Sequence, residues 1–241
     1  MAVERAVVWD FDGTLVDTRD KNLRVTRKLV QDVTGRPLAE FPALASPESY
    51  GRANRRSVNW RDLFGKEFGL NTRQVDEAGR LWTRYQLADA TPAPFFSGIP
   101  AAIDSLKVLP QVIFSQNSRD AIRLSLESAG LARYITLIVG YEEVEFERQK
   151  PAPDGLLYCL EELGMKRGEV FFVGDHDTDI ECARRANAAL KRREIALAVV
   201  SVGADFDWER RSTWGIRPDH VARRPGDIVR LTGVNGEAVS P

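Results

Sequence analysis

Five short apolar runs constrain this chain more than any other feature. They are Ala6-Val7-Val8-Trp9, Gln111-Val112-Ile113-Phe114, Ile135-Thr136-Leu137-Ile138-Val139, Val170-Phe171-Phe172-Val173 and Ile195-Ala196-Leu197-Ala198-Val199-Val200. Their hydrophobicity is continuous rather than alternating, which fits strands covered on both faces. Between them lie stretches of helical period, among them Arg119 to Ala129, Asp154 to Leu163 and Asp177 to Ala188. The alternation predicts an α/β fold with a doubly wound parallel sheet.

One long segment interrupts it. From about Thr18 to Ala90 only helical patterns occur, such as Val75, Ala78, Leu81, Trp82 and Tyr85 on one face and Trp60, Leu63, Phe64 and Phe68 on another. Such stripes are expected to form a helix-bundle core. The segment closes on Thr91-Pro92-Ala93-Pro94, a stiff linker by composition. The expected organisation is a sheet domain of residues 1–17 and 93–241 with an α-helical cap domain, 18–92, inserted after the first strand. The tail after Thr232 reads as loose.

The 34 basic and 35 acidic residues almost cancel, for a formal charge of −1. No overall field points to nucleic acid or to an anionic membrane, so neither is expected as a partner. Cys159 and Cys182 are too few for a disulfide framework, do not form a metal-binding pair, and read as small buried hydrophobes. Residues Met1-Ala2-Val3-Glu4-Arg5 lead straight into a strand without the features of a signal peptide, and no run reaches the roughly 20 apolar residues of a membrane helix. The cytoplasm is the expected compartment; a monomer and a homodimer are both left open.

Three of the apolar runs end in polar, reactive residues: Asp10-Phe11-Asp12-Gly13-Thr14, Ser115-Gln116-Asn117 and Gly174-Asp175-His176-Asp177-Thr178-Asp179. In open α/β sheets ligands bind outside the carboxyl ends of the strands, so these clusters are candidates for one site. Asp10, Asp12 and Asp175 together would repel strongly, by about 4 kcal/mol per pair at 4 Å and an effective dielectric near 20. A cation or bound protons must offset that repulsion. Hard carboxylate oxygens suit Mg²⁺, whose shell a substrate phosphate would complete.

At these residues the chain resembles the haloacid dehalogenase superfamily. Asp10-Phe11-Asp12-Gly13-Thr14-Leu15-Val16-Asp17 is similar to its first signature and Ser115-Gln116-Asn117 to its second. Lys150-Pro151-Ala152-Pro153-Asp154 is similar to the third, and Gly174-Asp175 with Asp179 to the fourth. The helical insertion resembles the cap of the phosphoglycolate phosphatase and β-phosphoglucomutase branch.

The resemblance implies a Mg²⁺-dependent phosphatase acting on a small phosphorylated metabolite. Asp10 would be the nucleophile, forming an aspartyl-phosphate, and Asp12 the acid and then the base. Asp10 and Asp175 would hold Mg²⁺ by their side chains and Asp12 by its backbone carbonyl, while Asp179 would orient the metal shell or Lys150. Ser115 and Lys150 would bind the phosphoryl group, and Asn117 beside them is a candidate substrate contact. The presence of Asp12 favours phosphoryl transfer over carbon–halogen cleavage.

Arg52 and Arg55, within Gly51-Arg52-Ala53-Asn54-Arg55-Arg56, are candidates to clamp a second anionic group; a solvated basic helix face is the competing expectation. Arg148 is a candidate for phosphate or substrate contact. His176 lies in the reactive loop, but Asp12 already supplies the acid and base. The resemblance, with the flanking prolines, also suggests a cap that moves over the site. Two other functions share these motifs: a phosphomutase of the β-phosphoglucomutase type, and a non-catalytic metabolite-binding module. The substrate itself is not legible.

Overall fold

The computed structural model describes residues 4–206 and 214–234. The tail past residue 234 and the first three residues of the N-terminal lead lie outside the described residues. The described chain forms two compact units, one from the residues up to Val16 and from Phe95 onward, the other Asp17–Pro94. No helix among the described residues is long and apolar enough to cross a membrane.

The first unit is built on a six-stranded sheet of β1 (Arg5–Trp9), β2 (Gln111–Phe114), β3 (Leu137–Val139), β4 (Arg167–Gly174), β5 (Ala196–Ala204) and β6 (His220–Ala222). The order is β3-β2-β1-β4-β5-β6, and every neighbouring pair is parallel. β1 is central, and its residues from Ala6 to Trp9 are fully buried, as their continuous hydrophobicity requires. The register sets Trp9 opposite both Ile113 and Val173, so the residues that follow β1, β2 and β4 emerge side by side. The chain leaves β1 towards β2 and later returns to β4 on the other side. That reversal opens a crevice at the carboxyl ends.

Helices lie in the parallel crossovers, α5 (Ile99–Ser105), α6 (Arg119–Ser128), α7 (Asp154–Glu162) and α8 (Asp177–Arg192), and α9 (Pro225–Thr232) follows the last strand. Leu156, Leu160, Cys182, Ala186 and Leu190 of α7 and α8 pack on Ala6, Val8, Val112, Phe114, Val170 and Phe172 of the sheet. Crossovers between parallel strands are right-handed as a rule, and with strands added outward from β1 in both directions that rule puts helices on both faces. Cys159 and Cys182 are buried in this core, where burial pushes the Cys159 thiol up to about 12.

Some elements differ from the sequence reading. Ile135 and Thr136 precede β3: Ile135 N donates back to Ala132 O of the turn Ala132–Tyr134, while Thr136 N already donates to Gln111 O of β2. β5 runs on to Ala204, and β6, α5 and α9 add elements that were too short to show a period.

The second unit consists of α1 (Arg19–Thr34), α2 (Pro47–Arg56), the short α3 (Trp60–Asp62) and α4 (Thr72–Ala88). Ser46 and Asn71 cap α2 and α4 in reciprocal boxes with Ser49 and Gln74. Leu29, Phe41, Leu44, Leu63, Phe64, Phe68, Val75 and Ala78 form its core, with Trp60, Leu81, Trp82 and Tyr85 partly buried against it. At the join, Val16 pairs with Phe95 in an antiparallel bridge, and Asp17 N donates to Pro94 O at 2.8 Å.

Candidate active site

Asp10 is the first residue past β1. Its amide continues the parallel ladder by donating to Val173 O (2.8 Å), which fixes the backbone beneath its carboxylate. The chain then turns sharply: Leu15 and Val16 both donate to Phe11 O, and Gly13 stands at φ +81°. A Cβ on Gly13 would lie 2.4 Å from Asp175 Oδ2, so only glycine lets this turn pass the loop after β4. Gly174 does the same for Asp179, since a Cβ there would lie 2.4 Å from its carboxyl carbon.

These two close approaches collect carboxylates. Asp10, Asp175 and Asp179 each offer an oxygen, and the three oxygens lie within 4.8 Å of one another. Lys150 enters from the loop before α7 and buries its ammonium among them, 2.6 Å from Asp10 Oδ1 and 2.8 Å from Asp179 Oδ1. The rings of Phe114 and Phe172 flank Nζ at 4.9 and 5.2 Å, which adds cation–π attraction. Gln116 steadies the Lys150 backbone by donating to its carbonyl at 3.3 Å.

Three carboxylates share one ammonium, so negative charge is in excess. Burial raises the Asp10 carboxyl to about 7, and Asp179 and Asp12 push it the same way against the pull of Lys150. Asp175 rises well above the usual carboxylate range for the same two reasons, burial first and then Asp10 and Asp179. Burial opposes the charge on Lys150, yet its two carboxylate partners outweigh that and hold the ammonium above the ordinary lysine range. This all-oxygen donor set with surplus charge fits a hard divalent cation such as Mg²⁺.

The other sequence candidates fall into place unevenly. Ser115 is 2% exposed at the end of β2, and its Oγ accepts from Asn117 N at 3.2 Å. Asp12 is only half-buried, and Asn117 Nδ2 donates to both its carboxylate oxygens. Asn117, read from sequence as a substrate contact, has therefore turned its amide to Asp12. Asp179 has both oxygens engaged, Oδ1 by Lys150 and Oδ2 by the His176 amide, which suits a residue that orients Lys150. His176 caps α8, its Nδ1 accepting from Thr178 N.

Arg148 is not brought to the cluster. Its exposed guanidinium is paired with Asp154 at 2.8 Å, six residues on, at the start of α7. Arg52 and Arg55 lie on α2 of the helical unit, exposed and with no hydrogen-bond or ion-pair partner among the described residues. Arg56 is tied to Glu67 at 2.5 Å.

Two site residues escape sequence reasoning. Thr14 donates from Oγ1 to Asp175 Oδ1 at 3.2 Å; its place in the first signature was the available signal. Trp214 donates from Nε1 to Asp175 O at 3.1 Å, while Gly215 and Ile216 donate to the Asp177 carboxylate. Nothing in the sequence near Trp214 announces that clasp.

Known proteins resemble this chain over most of its length. A family model described as haloacid dehalogenase-like hydrolase matches residues 7–192. A phosphoglycolate phosphatase from Aquifex aeolicus is 26% identical over 231 residues, covering 94% of this chain and 96% of that protein. An N-acetylmuramic acid 6-phosphate phosphatase from Pseudomonas aeruginosa is 28% identical, covering 93% of each. The crystal structure of a haloacid dehalogenase-superfamily hydrolase, subfamily IA, variant 1, from Geobacter sulfurreducens superposes with a TM-score of 0.62. It covers 95% of this chain and 97% of that one at 20% identity, a likeness of fold.

Proposed function

The chain belongs to the haloacid dehalogenase-like hydrolases, and from that premise we propose that it is a Mg²⁺-dependent phosphatase of small phosphomonoesters. Phosphoglycolate-type and sugar-phosphate substrates are the class that its relatives' names support. The observation that carries the reading is the buried ammonium of Lys150 against Asp10, beside an independently held Asp12. A binding module has no need of a nucleophile next to an acid–base group.

In the proposed reaction, an Asp10 carboxylate oxygen forms a bond to phosphorus as the bond from phosphorus to the ester oxygen breaks. Asp12 gives its proton to the departing oxygen. Water then attacks the phosphorus of the aspartyl-phosphate, its proton passes to the Asp12 carboxylate, and Asp10 is released with inorganic phosphate. Lys150 offsets phosphoryl charge throughout, and the Ser115 hydroxyl donates to a phosphoryl oxygen in this reading. Asp10 and Asp175, with the Asp12 carbonyl, would hold Mg²⁺, which supplies charge neutralisation at the phosphoryl oxygens.

The test is phosphate release from a panel of phosphomonoesters, with Mg²⁺ and with chelator, for wild type and Asp10→Asn. Magnesium-dependent release that the variant lacks supports the reading. Isomerisation without release would replace it with a mutase, and binding without either reaction with a binding module.

A further inference from the structure

The amide of Asn117 has a fixed orientation. Its Oδ1 lies 2.7 Å from the Ser118 amide nitrogen, which can only donate, so the oxygen must face Ser118 and the nitrogen must face Asp12. Nδ2 then reaches both carboxylate oxygens, at 3.1 and 2.9 Å. The residue is immobilised from its other sides as well. Its backbone N–H donates to Ser115 Oγ, its backbone carbonyl accepts from Tyr141 N at 3.1 Å, and it is 5% exposed. Asp12 is half-buried in the glycine-bearing turn after β1, and this one amide group meets both oxygens of its carboxylate.

We propose that Asn117 is a positioning residue that aims the Asp12 carboxyl group at the leaving oxygen, rather than a residue that binds substrate. The inference rests on the acid–base role given to Asp12 under the proposed function. A carboxyl held to one rotamer spends no rotational entropy at the moment of transfer. The link through Ser115 couples that aim to the residue placed for the phosphoryl group. During transfer the proton on Asp12 moves to the ester oxygen as the phosphorus–oxygen bond breaks. The resulting carboxylate is the form that Asn117 Nδ2 can hold by both oxygens.

The experiment compares kcat/KM for an alkyl phosphate, whose leaving oxygen needs a proton, with that for p-nitrophenyl phosphate, whose leaving phenolate does not. In Asn117→Ala the alkyl ester should lose about 10²-fold, within the usual worth of an acid–base group. The aryl ester should lose far less. Asn117→Ser adds no charge and is too short to reach Asp12; it should show the same split and serves if the alanine variant unfolds. Equal losses for the two esters, or an unchanged alkyl rate, would overturn the inference while leaving the phosphatase reading intact. No release from either ester by the wild type would remove both together.

Discussion

Lys150 Nζ lies 2.6 Å from Asp10 Oδ1, and only 3% of the lysine is exposed. The two residues are 140 positions apart, one after β1 and the other ahead of α7. Their contact ties the loop ahead of α7 to the turn after β1, at the residue proposed to attack phosphorus. The pair is both a structural tie and an electrostatic balance, because Asp179 leans on the same ammonium.

Lys150→Met should therefore cost stability as well as turnover. Breaking a buried ion pair by removing one partner is typically worth about 3–5 kcal/mol. In chelator and mildly alkaline buffer a loss of that order is expected in urea denaturation. A stability equal to wild type would mean that the carboxylates do not depend on the ammonium.

The metal-free protein should become less stable as pH rises. Asp10 has a folded-state pKa of about 7 against an ordinary 3.8. A group raised in this way contributes its stability below the unfolded value and loses it as pH climbs through the folded one. In chelator, the melting temperature of wild type should fall between about pH 4 and about pH 7 relative to that of Asp10→Asn. Mg²⁺ added at the alkaline end should restore it by binding the native state. Parallel profiles for the two proteins would refute the assignment.

Gly174→Ala tests the close approach beneath Asp179. The new methyl would meet the Asp179 carboxyl group at about 2.4 Å, so that side chain must shift and release Lys150. A destabilisation of about 1–3 kcal/mol is expected, with weaker phosphoryl binding seen as a raised KM. A variant with unaltered stability and KM would show that Asp179 has room to yield.

The arginines of α2 allow a cleaner separation of structure from function. Arg52 and Arg55 are exposed and unpaired among the described residues. Replacing both with alanine should move the melting temperature by no more than about 2 °C, as for surface sites without partners. If they clamp a second anionic group, one of the two readings of the sequence, KM for substrates that carry such a group should rise by about tenfold, the loss of roughly 1.4 kcal/mol. An unchanged KM would leave these side chains as a solvated basic face.

Much of the sheet was legible because it obeys a simple rule: strands buried on both faces read as unbroken apolar runs, and β1, β2 and β4 do so. Their register carries Asp10, Ser115 and Asp175 to one edge, which no spacing in the sequence states. The residues that hold those groups in place were harder to see. Asn117 was read towards substrate, and only the Ser118 amide reveals which way its side chain must turn. Trp214 was missed because it acts through a carbonyl 39 positions away. β6, with three residues, is too short for periodicity to register.

The antiparallel bridge between Val16 and Phe95 means that the helical unit begins and ends at one place on the chain. Only two strands of backbone cross the boundary, side by side. A segment tethered so can be lengthened, exchanged or lost with little disturbance to the path of β1 or β2. In terms of descent, the helices and the aspartate cluster are separately heritable parts, and each is free to change at its own pace.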